Sequence, residues 1–152
     1  MKTNKFKFRQ ISIEQDAEKL AKMWNDSDDQ WPGTWTRGVP LTAQAIREDF
    51  ERENALEIMV ADNGKDIAGI CSIWLKPEEK NVSYVALLNV SPQFQKNSIG
   101  RKLLKNSIQR AAKLGHDRID IGTWPKNADF SGCRKLLSTW LILFHKLFGW
   151  IF

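Results

Sequence analysis

Between Leu88 and Arg101 the chain sets out groups that suit an anionic ligand: the end of an apolar strand, a short polar loop, and the start of a helix. The loop reads Gln95-Lys96-Asn97-Ser98-Ile99-Gly100-Arg101. The first N–H groups of a helix have no internal partner and carry partial positive charge, so they attract phosphate. Glycine lets a backbone approach such a group closely and accepts positive φ. The charge pattern agrees. No Asp or Glu lies between Glu79 and Asp117, while Lys96, Arg101, Lys102, Lys105, Arg110 and Lys113 fall there. Lys96, Arg101 and Lys102 sit at the loop and are read as phosphate contacts. For the distal three, phosphate contact and a solvated helix face remain equal alternatives.

Two elements must hold this loop. Val82 to Val90 is an apolar run with β-branched and aromatic members, which predicts a strand buried on both faces. Pro92 cannot donate to a sheet ladder, so the strand should stop near Ser91. After the loop, Ile99, Leu103, Leu104, Ile108, Ala111, Ala112 and Leu114 form one helical stripe, closed by Gly115.

The rest of the chain supplies a frame. Phe6 to Ile13 alternates enough for an edge strand. Asp16 is expected to cap a helix that buries Ala17, Leu20, Ala21 and Trp24. The polar stretch Asn25 to Gly38 is a loop whose Trp31 and Trp35 either cover the sheet or wall a substrate pocket. Thr42 can cap a second helix reaching Glu51, with Ile46 and Phe50 facing inward. Leu56 to Ala61 and Ile67 to Leu75 read as a hairpin around Asn63-Gly64. Arg118 to Thr123 is a final strand, ended by Trp124-Pro125. This order predicts an α/β (α+β) domain with a mixed sheet and helices on both faces.

Bulk properties narrow the function. A length of 152 residues with 42% hydrophobic and 27% charged residues fits one soluble domain. The net charge of +5 favours anionic partners, but no nucleic-acid motif accompanies it. Cys71 and Cys133 are too few for a disulfide framework and suit a reducing, cytoplasmic setting. With His116 and His145 they give no zinc-ligand spacing, so no metal is expected. The N-terminus lacks the apolar stretch of a signal peptide.

The stretch Leu88 to Leu104 resembles the acyl-CoA-binding motif of the GNAT acyltransferase superfamily: a strand ending in valine, a proline, then Gln/Arg-x-x-Gly-x-Gly/Ala opening a helix. Gln95 and Gly100 match, Ser98 stands where the first glycine is expected, and Lys96 stands where many members have glycine. The order of elements from Phe6 to Asn127 resembles the family as well. The resemblance implies a GNAT-like fold and transfer of an acetyl group from acetyl-CoA to a primary amine. It implies that the strand around Leu88, Asn89 and Val90 supplies an oxyanion N–H and pairs with pantetheine. The loop from Gln95 to Arg101 would hold the pyrophosphate, and Asn127 the pantetheine arm. No general base is identified; Glu48, Asp49, Glu51 and an ordered water are the candidates. Tyr84, the single tyrosine, has no match to the tyrosine many members use as general acid. A degenerate, non-catalytic acyl-CoA binder is the alternative reading.

After Asn127 the resemblance stops. Residues 128–152 form an apolar tail without the family's last two strands, so the reading is a domain over 1–127 with an atypical tail. A truncated or frame-shifted coding sequence is the preferred explanation. A tail that docks on a second copy of the chain to form a homodimer is another. Membrane association is the least favoured, since Leu136 to Phe152 holds His145 and Lys146 and is at the short limit for spanning.

Overall fold

The structure, a computed structural model of the chain, describes residues 5–30, 36, 38–49 and 55–121. Trp31, Trp35, Phe50, Glu51, Asn127 and the apolar tail lie outside the described residues, as does the side chain of Asp49. The elements run β1 (Lys7–Gln10), α1 (Ile13–Asp26), α2 (Ala43–Asp49), β2 (Ala55–Asp62), β3 (Ile67–Leu75), β4 (Val82–Val90), α3 (Ile99–Lys113) and β5 (Arg118–Ile121). The sheet order is β1-β2-β3-β4-β5; the first four strands are antiparallel neighbours and β5 joins β4 in parallel. Parallel pairing needs a crossover, and α3 supplies it. The mixed α/β architecture is the one the sequence pattern predicts.

Each face of the sheet has its own core. On one, Leu20, Met23 and Trp24 of α1 and Ile46 of α2 pack with Val60, Ile67 and Ile70. On the other, Ile99, Leu103 and Leu104 of α3 pack with Ala61, Ala68 and Cys71. Burial pushes the Cys71 thiol up to about 11, so it stays protonated at neutral pH. Among the described residues no helix is long and apolar enough to cross a membrane.

Several local expectations need correction. The first strand is only Lys7–Gln10, and the helix begins at Ile13 with Ser12, not Asp16, at its N-cap. Asp16 lies inside the first turn, 1% exposed, and its carboxylate accepts the Ser12 N–H at 2.8 Å. Arg9 of β1 explains its placement: both terminal guanidinium nitrogens donate to Asp16 at 2.7 Å, and the same group donates to Asp62 at the end of β2. One cation thus ties two strands to α1. The β2–β3 hairpin forms, but through four residues, Asn63 to Asp66, where Asn63 Oδ1 accepts the Lys65 and Asp66 N–H groups. Leu114 falls past the end of α3 and is exposed, while Gly115 takes the positive φ that ends the helix.

β4 is not buried on both faces as expected. Its second half exposes Ala86 and Leu88. Ser72 pairs with Leu87 but Ile73 with Val85, so Ala86 is an extra residue in β4. Such a bulge bends its strand and increases local twist. At the far end of the sheet, Lys76, Glu79, Arg118 and Asp120 form an exposed network that ties the β3–β4 turn to β5. Arg118 and then Lys76 hold the Asp120 carboxyl down at about 2.

Two outcomes follow from this packing. A methyl added at Gly69 of β3 would lie 3.0 Å from Asn89 O, 3.1 Å from Leu103 Cδ1 and 3.2 Å from Ile99 Cγ2. Gly69→Ala should therefore cost about 1–3 kcal/mol in urea denaturation by forcing α3 off the sheet. Burial pushes Asp16 and Asp62 up, but the Arg9 hydrogen bonds, with backbone N–H groups, override it and leave both below the usual carboxylate value. Their stabilisation is therefore full above the unfolded value of about 3.9 and lost as pH falls through the lower folded values. The urea midpoint should fall as pH drops below about 4, and Arg9→Leu should lower stability by about 3 kcal/mol at pH 7 while flattening that acid limb.

Candidate active site at the end of β4

The described site is built where β4 stops. Ser91 donates its N–H to Ala68 O at 3.0 Å, and Asn89 faces Ile70 across the same ladder. Backbone groups alternate along a strand, so the N–H and C=O of Asn89 are used within the sheet. Those of Leu88 and the N–H of Val90 point the other way, toward the β5 side. Among the described residues the β4–β5 pairing ends at Val85–Ile121, and β4 continues through five more residues. Of the three β4 residues predicted for the site, Leu88 and Val90 thus present backbone donors at an edge that no described strand covers. Asn89 is 7% exposed, with its Oδ1 unbonded among the described residues.

Beyond β4 the chain makes one tight helical turn, Pro92–Phe94, and then the loop. The Gln95 side-chain amide lies 3.4 Å from Val90 O, and the Asn97 amide donates to Phe94 O and Gln95 O, both at 3.1 Å. These bonds fold the loop back on itself. Lys96 and Ser98 adopt left-handed backbone, with φ of 63° and 57°, while Gln95 is at −59°. Turns with left-handed residues ahead of a helix are among the backbone conformations that form anion-binding concavities. These are the two positions at which the sequence departs from glycine, and the backbone keeps the glycine-like conformation anyway.

Ser98 is the N-cap of α3, and the first internal bond of the helix is Lys102 N–H to Ser98 O at 3.1 Å. The N–H groups of Ile99, Gly100 and Arg101 precede that bond and have no helical acceptor. The first turn contains no acidic residue. Val90, Gln95, Lys96, Ser98, Ile99, Gly100 and Arg101 line one open cleft of about 290 Å³. That volume suits a diphosphate with its waters better than a whole coenzyme. Ile99 itself is buried and anchors the helix end on the sheet.

The six basic residues of this region divide. Lys96 and Arg101 are exposed at the cleft and form no ion pair among the described residues. Lys102 Nζ sits 5.8 Å from the centre of the Phe8 ring, so it is shared with β1. Arg110 bonds the buried Glu57 carboxylate at 3.1 Å, which removes it from any phosphate role. Among the candidate bases, Glu48 accepts the Gln44 amide at 2.7 Å. Tyr84 packs against Trp74, with ring centroids 6.3 Å apart, and its six-residue separation from Val90 puts it about 20 Å from the strand end. Two contributors escaped the sequence reading. Gly69 carried a signal, since glycine inside a strand marks a close backbone approach. The bulge at Ala86 carried none.

The acetyltransferase (GNAT) family pattern matches residues 20–129. No curated protein matches the chain. Among solved structures, an integron cassette protein from the mobile metagenome of V. cholerae superposes with a TM-score of 0.70 at 14% identity, over 89% of this chain and 85% of its own. An aminoglycoside acetyltransferase from an uncultured soil metagenomic sample gives 0.68 at 15% identity, over 88% of each chain. A GNAT family acetyltransferase from Brucella melitensis, in complex with acetyl-CoA, gives 0.61 at 15% identity, over 83% of this chain and 81% of its own.

Two substitutions separate strain from ligand contact in this loop. Ser98 holds positive φ in the protein as it stands, so Ser98→Gly should raise stability by about 1 kcal/mol and leave acetyl-CoA affinity within about twofold. At Gly100 an added Cβ meets only Val90 Cγ2, at 3.4 Å, among the described residues. Gly100→Ala should leave the melting temperature unchanged yet weaken acetyl-CoA binding at least tenfold, because its methyl enters the cleft. Thermal unfolding beside calorimetric titration checks both.

Proposed function

As a member of the acetyltransferase (GNAT) family the chain is an acyltransferase, and we propose that it transfers an acetyl group from acetyl-CoA to a primary amine. The observation that carries the donor assignment is the juxtaposition of two sets of backbone donors. One is the left-handed loop with the first turn of α3; the other is the open edge of β4 at Leu88 and Val90. The first set suits the pyrophosphate, with the backbone of Gln95, Lys96, Asn97, Ser98, Ile99, Gly100 and Arg101 around it. The second suits the amide groups of pantetheine, which add to the edge as an extra strand does. Asn127 is proposed to hold the same arm from the β5 side.

In the reaction the amine nitrogen attacks the thioester carbonyl, and the carbonyl oxygen gains negative charge. An N–H donor from the β4 edge at Leu88 or Val90 stabilises that oxyanion. The C–S bond then breaks, the thiolate leaves, and the amine proton passes to water or to the departing sulfur. An alkyl amine has a pKa of about 10.4, so it must lose a proton before it can attack. Asn89 is an amide and cannot take that proton. An ordered water is the base this arrangement favours.

One observation favours a second reading. Of the candidate bases, Glu48 is already bonded to Gln44, and Asn89 at the strand end is an amide. A degenerate protein that binds acyl-CoA without turning it over would look the same. A homodimer through the apolar tail is a further proposal, which sedimentation of the full chain tests. For activity, acetyl-CoA should raise the melting temperature, and less so at high salt. Release of CoA thiol should rise with at least one member of a panel of primary amines. Protection without thiol release across the whole panel would establish the binding protein, and no protection at millimolar acetyl-CoA would sink the donor assignment.

A further inference from the structure

We infer that Lys96 is the residue by which this site tells coenzyme A from its dephospho form, its ammonium pairing with the 3′-phosphate rather than with the pyrophosphate. The inference rests on the donor reading above. Its starting point is a backbone outlier. Lys96 holds φ of 63°, a conformation that glycine adopts without strain and that an L-residue occupies at a penalty. Ser98 holds nearly the same conformation at 57° with an uncharged side chain. The two positions therefore impose the same backbone requirement, and only one brings a charge.

That charge is uncommitted. Lys96 is exposed, lines the cleft, and forms no ion pair among the described residues. Lys102 lies over Phe8 and Arg110 on Glu57; Arg101 is also exposed at the cleft, but it sits in the first turn of α3, beside the N–H groups that suit the pyrophosphate. The pyrophosphate does not need the Lys96 charge. The N–H groups of Ile99, Gly100 and Arg101, without helical acceptors at the start of α3, already supply directed donors. A diphosphate diester also carries only one charge on each phosphorus. A ribose 3′-phosphate is a monoester carrying about −1.5 to −2 at pH 7. It calls for a cation on a long stem at the mouth of the cleft. Lysine suits this role as a compact charge that needs no fixed fork geometry.

The experiment compares coenzyme A with dephospho-coenzyme A on the wild-type protein, Lys96→Gln and Ser98→Gly, by calorimetric titration at low salt. The wild type should bind coenzyme A about fivefold more tightly than the dephospho form. Lys96→Gln should bring coenzyme A down to the dephospho affinity and leave the dephospho affinity unchanged. Ser98→Gly should keep the wild-type ratio. An equal loss for both ligands in Lys96→Gln would place the ammonium on the pyrophosphate and overturn the inference, as would an unchanged ratio. If the wild type bound neither ligand, the donor reading itself would fail, and the inference with it.

Discussion

The distance between α3 and the sheet is the constraint from which the rest of the site follows. Gly69 sets it. With hydrogen in place of a methyl, the backbone oxygen of Asn89 and the side chains of Leu103 and Ile99 all come within 3.2 Å of where a Cβ would stand. The helix can then lie low on β3 and β4, and its N-terminus arrives beside the end of β4 rather than above it. Ile99, Leu103 and Leu104 fill that contact with buried side chains, which makes the approach favourable as well as possible. Eight residues, Ser91 to Ser98, bridge strand and helix, and they have little freedom once both ends are fixed.

The second consequence concerns the edge of β4. A strand between two neighbours has no donors to spare. Here one extra residue, Ala86, shifts the register against β3 just where the described pairing with β5 ends. The donors of Leu88 and Val90 are left toward the side that no described strand covers, while Asn89 and Ser91 keep the ladder with β3 intact. Rigidity and availability come from alternate residues of the same strand. A donor aimed at a developing charge contributes most when it need not reorganise, and a strand fixed on one side by a full ladder meets that condition.

Much of this was legible in the sequence, because the signals were local. Apolar alternation, Pro92, the Asn-Gly hairpin and the α3 stripe each depend on neighbouring residues, and apart from the shorter first strand and the four-residue hairpin loop the elements appear where these place them. The strand–loop–helix order itself, from β4 through the loop to α3, is where the sequence placed it. What the sequence withheld is nonlocal. Asp16 looks like a helix cap until Arg9 and Asp62 are brought beside it, and then its burial has a reason. Arg110 looks like part of a basic face until Glu57 is found beneath it. The apolar run of β4 looks buried on both faces because its residue types are those of a central strand. Among the described residues its second half is exposed at Ala86 and Leu88, around a bulge that has no signature in residues 82–90.

The loop itself shows the same division between local preference and global demand. At Lys96 and Ser98 the local preference is against the observed conformation, since both residues carry a Cβ and both take positive φ. Three bonds oppose that preference from within the loop: Gln95 reaches Val90 O, and Asn97 holds Phe94 O and Gln95 O. The buried Ile99 and the Ser91 N–H fix its two ends. The framework is therefore strong enough to impose a glycine conformation on residues that disfavour it. Once it is, the side chains at 96 and 98 become available for recognition at no further structural penalty, whereas a glycine loop has only its backbone to offer. A loop of this kind exchanges a little stability for a charge at the mouth of the cleft. That exchange is favourable only where the ligand carries a charge that the backbone donors leave unmatched.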